Sequence, residues 1–270
     1  MRYGNGSDVV RQAANVVGAL FQILAAALAG PAIGAAANQY DTLVLPAGYA
    51  FAIWTPIFAL SLVYAVYAAL PVKREDPLLR RIGPFTAAAF LLNGLWEVLF
   101  PARQLVAAQI SLFGVLVVSG LAYLLVQRQI AAARANIPAS GGLLVAPTVG
   151  LLFGWVTAAA LVGLASTLSG LGLLGGGSTE AFLGSLLLLV GGLLASGALL
   201  AGRTGPPLGY LAYAAAFLWA LVAVAIEQYG ESALTTGAAA VTAASVAAVL
   251  LSVVREARAA RHRPRSRTVR

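Results

Sequence analysis

Apolar residues run along this chain in long blocks, each ended by a short polar, glycine or proline interruption. Eight such blocks can be drawn, at about residues 15–37, 47–70, 82–100, 104–126, 142–168, 182–201, 208–226 and 234–254. Stretches such as 181–201 are apolar on every side rather than along one stripe, as in a helix surrounded by apolar material. A helix needs about 20 such residues to cross the hydrocarbon of a bilayer. Strands of a membrane barrel would alternate apolar and polar residues with period two, and these blocks do not. The interruptions include Pro71 with the charged run to Pro77, Pro101, the segment 136–138, the glycines at 175–177, and Gly205 with Pro206 and Pro207. Pro31, Pro56 and Pro147 fall inside or near the ends of blocks and are expected to bend them. The fold class expected is all-α: a polytopic membrane protein of about eight transmembrane helices. The first block exceeds the apolar core of a secretory signal and reads as a retained span.

Composition agrees with this. Hydrophobic residues make up 60% and charged residues 10%, against about a quarter charged in ordinary globular proteins. The partner of most of this surface is therefore the lipid bilayer. With the N-terminus inside, every basic residue except Arg103 falls on the cytoplasmic side, as cytoplasmic loops prefer. Asp41, Glu180, Glu227 and Glu231 fall at or beyond the outer ends. The expectation is an integral protein of a bacterial cytoplasmic membrane with both termini in the cytoplasm. The basic tail at 255–270 reads as a topological anchor near acidic headgroups, and no nucleic-acid partner is expected.

The absences exclude several chemistries. There is no Cys, the only His is His262, the only Met is Met1, and the only Lys is Lys73 between two blocks. Disulfides, thiolate metal sites, a haem held by His or Met, and an intramembrane Schiff base are excluded. Polar groups within the blocks are few: Asn93 and Glu97 in the third, Thr157 in the fifth, Glu227 at the end of the seventh. Such groups are costly in lipid and are functional candidates. Glu97 also lies where it could reach headgroups or meet Arg103, and Asn93, one turn earlier, could bridge helices. No metal-ligand cluster and no carboxylate pair is seen, and no enzyme activity is expected.

The tryptophans are unevenly placed. At about 1.5 Å per residue, Trp54, Trp96 and Trp219 lie near the outer surface and Trp155 near mid-membrane. An aromatic belt would populate both interfaces. An outward-facing pocket for a flat hydrophobic ligand would gather the rings on one side. Depth alone favours neither.

Three segments carry a resemblance. Residues 45–60, with Pro46, Phe51, Trp54, Thr55 and Phe58, resemble the second-span signature of the TspO/MBR family of tryptophan-rich sensory proteins, related to the peripheral benzodiazepine receptor. Residues 92–100, with Asn93, Trp96 and Phe100, look like its third-span L-N-x-x-W-S-x-L-F. Pro147, Trp155, Val156 and Thr157 match its fifth-span pattern. The chain departs from the family at Ala47 and Tyr49, at Glu97 in place of serine, and at Gly163 in place of asparagine. The resemblance covers about residues 10–168 and implies a five-helix bundle there, followed by an additional three-helix unit at 180–254. It implies a membrane protein that binds tetrapyrroles or similar flat hydrophobic molecules for transport or regulation, with Phe51, Trp54, Asn93, Trp96, Glu97 and Trp155 as ligand-binding residues. The loop from Asn38 to Tyr49 would cover them. No cofactor is required, a porphyrin or haem-type ligand is implied, and family habit implies a homodimer.

Two other readings compete. A secondary transporter would favour broken helices and polar groups at the midplane. An assembly partner would pack through small-residue pairs such as Gly30–Gly34 and Gly150–Gly154.

Overall fold

The computed structural model describes residues 6–40, 42–132 and 141–262; Arg2, Asp41, Arg134, the 136–138 break and the last arginines of the tail lie outside them. Among the described residues there are eight long helices and no strand. They are α1 (Gly6–Gln39), α2 (Trp54–Ala69), α3 (Pro77–Leu99), α4 (Leu105–Ala132), α5 (Ala146–Gly170), α6 (Ser178–Gly202), α7 (Pro207–Glu227) and α8 (Ala233–His262). All eight are long and apolar enough to cross a membrane, counting the 3₁₀ turn Gly48–Ile53 with α2 and the π-helical turn Gly141–Val145 with α5. The helix α8 continues to His262, so the first half of the basic tail extends the last span.

Local chemistry sets the boundaries. The carboxylate of Asp76 caps α3, accepting the amides of Leu78 at 3.0 Å and Leu79 at 3.3 Å, and Pro77 follows as the first helical residue. Pro147 sits in the first turn of α5 and Pro56 in that of α2, where a missing amide costs little. Pro31 alone of the three expected bends lies in a helix interior.

Apolar burial offers helices no preference for each other over lipid, so polar pairs and close backbone approach must choose the neighbours. Along α1 the polar residues Asp8, Asn15 and Gln22 recur every seven residues, and Thr86 and Asn93 do the same on α3. That spacing keeps them on one face. Asp8 accepts Arg80 Nε at 2.9 Å, Asn15 donates to the Gly83 carbonyl and accepts from Thr86 at 2.6 Å, and Gln22 accepts from Asn93 at 3.1 Å. Tyr64 of α2 joins through Thr86 at 2.9 Å. Gly18 and Gly94 let the two backbones close, since a Cβ at either would press on Phe90 or Phe21.

The second contact of this kind joins α5 to α7. A methyl group on Gly150 or Gly154 would collide with the backbone carbonyls of Gly209 and Tyr213. Tyr213 then donates to Thr157 at 3.3 Å, one turn further along. The last three helices are thus joined directly to the middle of the chain. By contrast, nothing stands within 4 Å of a side chain added at Gly30 or Gly34, so that pair makes no packing contact within the chain.

Gly154→Val is therefore expected to destabilise the folded protein by about 1–3 kcal/mol, the usual cost of overpacking. Gly30→Ala is expected to leave it nearly unchanged. Thermal unfolding of the two variants in the same detergent checks this.

Candidate functional site

The first loop crosses from α1 to α2 and is fastened at several points by α6 and α7. The Leu43 amide donates to Glu180 of α6 at 3.1 Å, and the Ala47 amide donates to the Ala223 carbonyl of α7 at 3.2 Å. Gln228, just past α7, donates to the Leu45 carbonyl at 3.2 Å. Trp219 of α7 donates to the Ala50 carbonyl at 3.0 Å and meets the ring of Tyr49 edge-on.

Under this loop the rings form a continuous stack. On α2, Trp54 and Phe58 are four residues apart; on α3, Trp96 and Phe100 are too, so each pair shares a face. Ring centroids are separated by 5.4 Å from Phe58 to Trp54, 6.1 Å from Trp54 to Trp96, and 5.5 Å from Trp96 to Phe100, all nearly parallel. Trp155, from the middle of α5, stands edge-on to Trp54 at 6.0 Å and to Phe51 at 6.1 Å. Offset and edge-on pairs of this kind contribute about 0.5–1.5 kcal/mol each beyond their buried area.

The stack divides a cavity into two lobes. One, of about 50 Å³, lies against α4 and α5 and includes Pro46, Gln109, Trp155, Gly163 and Thr167 in its wall. The other, of about 420 Å³, lies against α1 and includes Gly30, Gly34, Phe58 and Glu97. Phe51, Trp54 and Trp96 face both. Only the second lobe has a volume at which proteins hold small molecules.

Each lobe has polar groups without partners. In the first, the buried Trp155 Nε1–H has none. Gln109 donates to the Ala160 carbonyl at 2.9 Å, and its Oε1 fills the space a side chain at Gly163 would take. In the second, Glu97 is 1% exposed and accepts from Asn93 at 3.0 Å. Glu97 Oε2, Asn93 Oδ1 and Gln22 Nε2 remain unpaired.

The sequence model of the family described as TSPO-like protein matches residues 10–254. The chain belongs to that family. No curated protein and no solved structure matches it significantly. The match runs beyond the 10–168 core, through α6 and α7 and along α8. In this TSPO-like protein the later helices hold the loop that covers the cavity.

Of the residues expected at the site, Phe51, Trp54 and Trp96 lie in the wall between the lobes, Trp155 in the first lobe and Glu97 in the second. Asn93 is wholly buried behind the wall and holds Glu97. The headgroup and Arg103 alternatives for Glu97 do not apply: it is buried, and among the described residues no ion pair joins it to Arg103. Trp219 stands outside the cavity, and Thr157 is turned to Tyr213 and its own helix. Gln22 and Gln109 were not among the expected residues. Their signal was an uncharged amide inside an apolar block, the same signal that singled out Asn93.

Removing the acceptor for the Leu43 amide should loosen the loop. Glu180→Ala is expected to speed hydrogen exchange at that amide about fivefold, the equivalent of one net hydrogen bond of about 1 kcal/mol. Hydrogen–deuterium exchange in detergent, with amides of α3 as the internal reference, measures it.

Proposed function

We propose that this TSPO-like protein binds flat, largely apolar small molecules, tetrapyrroles among them, in the cavity beneath its first loop, without altering them chemically. The observation that supports this most strongly is the unbroken run of Phe58, Trp54, Trp96 and Phe100, crossed edge-on by Trp155. Such a wall offers stacking area to a planar ring and little to an extended chain. The free Trp155 Nε1–H supplies a donor for an acceptor group at the edge of such a ring, for example a propionate. An iron porphyrin would be held by shape and stacking, since the chain's one His and one Met lie at its ends. Transport or regulation would follow from uptake and release beneath the loop. The basic residues orient the protein with its loop end away from the cytoplasm of a bacterial cell, and a homodimer fits the same family reading.

Quenching of tryptophan fluorescence by protoporphyrin IX tests the proposal. The expected outcome is saturable quenching, weakened roughly tenfold, or about 1.4 kcal/mol, by Trp54→Phe and by Trp155→Phe, with Val241→Ala, at an exposed position of α8, binding as tightly as wild type. Linear quenching that is equal in all four proteins would overturn it.

A further inference from the structure

We propose that the lobe against α1 is a separate subsite that recognises a cationic or strongly hydrogen-bond-donating nitrogen on the ligand, with Glu97 as its anchor. This rests on the small-molecule reading above and names the ligand chemistry that this chain in particular selects.

A carboxyl group deep in a membrane helix is expensive unless something satisfies it. Glu97 is 1% exposed and has one oxygen, Oε1, held by Asn93 and the other, Oε2, held by nothing. Among the described residues no basic side chain pairs with it. The groups around it are neutral amides, and the nearest of them is itself fixed: Asn93 is bound to both Glu97 and Gln22. The polar ladder between α1 and α3 therefore ends in a positioned carboxyl whose second oxygen has no hydrogen-bond partner, with the Ala26 backbone of α1 close by.

The surroundings specify that donor. Glu97 shares the lobe's wall with Trp54, Phe58 and Trp96, so it stands beside aromatic rings. Aromatic faces and a carboxylate together are a cation-binding environment, because ring faces carry negative potential. Gly30 and Gly34 of α1 also line the lobe; both are exposed, and a side chain added at either position would meet open space. Anionic groups are disfavoured there, while the Trp155 N–H in the other lobe offers itself to an acceptor. The two lobes differ in polarity across the same stack of rings, which sets the direction in which an asymmetric ligand lies.

Three planar probes of similar size test this in the purified full-length protein: 9-aminoacridine, protonated at neutral pH; acridine, neutral; and anthracene-9-carboxylate, anionic. Wild type is expected to bind 9-aminoacridine roughly tenfold more tightly than acridine and to bind the carboxylate most weakly. Glu97→Gln, which keeps size and the Asn93 contact, is expected to remove the amine's advantage over acridine. Gly34→Leu, which adds bulk to the lobe's wall and keeps Glu97, should also reduce the amine's advantage. If all probes saturate but wild type shows no preference for the amine, or if Glu97→Gln retains it, the subsite proposal is wrong and the small-molecule reading stands. If no probe saturates in any variant, both are wrong.

Discussion

The close approach of α5 to α7 at Gly150 and Gly154 is the constraint on which the rest of the site depends. In lipid, apolar surface gives helices no reason to prefer one another, so the neighbour is chosen where backbones can touch. The two glycines meet the carbonyls of Gly209 and Tyr213, and no larger residue would fit. Trp155 follows Gly154 directly, about 100° further round the helix. Fixing the glycines on α7 therefore turns Trp155 toward Trp54 and Phe51. The same partner helix carries Trp219 and Ala223, which fasten the loop above. One helix contact thus positions both the inner wall of the cavity and its cover.

A second, polar constraint operates between α1 and α3. Asp8, Asn15 and Gln22 meet Arg80, Thr86 and Asn93 in a ladder that runs from the start of α1 toward the cavity. Buried amides and hydroxyls are costly unless paired, so the ladder fixes the sliding register of the two helices. Its last member, Glu97, enters the cavity wall with an oxygen to spare. The first constraint makes the apolar side of the site and the second makes its polar side.

The fold was legible in the sequence because each span is long, apolar on all sides and punctuated by charge, proline or glycine. The family was legible because Trp54, Trp96 and Trp155 sit in three recognisable spans. Neighbour choice was not legible. Gly30–Gly34 and Gly150–Gly154 have the same spacing, yet one faces open space and the other a helix backbone. Spacing records which residues share a face and carries no information on what that face meets. Trp219 was indistinguishable by depth from Trp54 and Trp96, and only packing shows that its N–H is taken by the Ala50 carbonyl. Gly163 looked like the loss of a polar residue from the pocket. The space is instead occupied by Gln109 from another helix, a substitution across 54 positions that a single helix pattern does not reveal.

The central claim is that one cavity, built on the Trp54–Trp96 stack and Trp155, receives the ligand. Photocrosslinking with a diazirine-bearing porphyrin, followed by peptide mapping with and without excess unlabelled porphyrin, addresses it most directly. The account predicts adducts in segments 51–58, 96–100 and 155–167 that disappear under competition. Adducts spread over exposed apolar positions such as Leu28, Leu193 and Val241, unchanged by competitor, would contradict it.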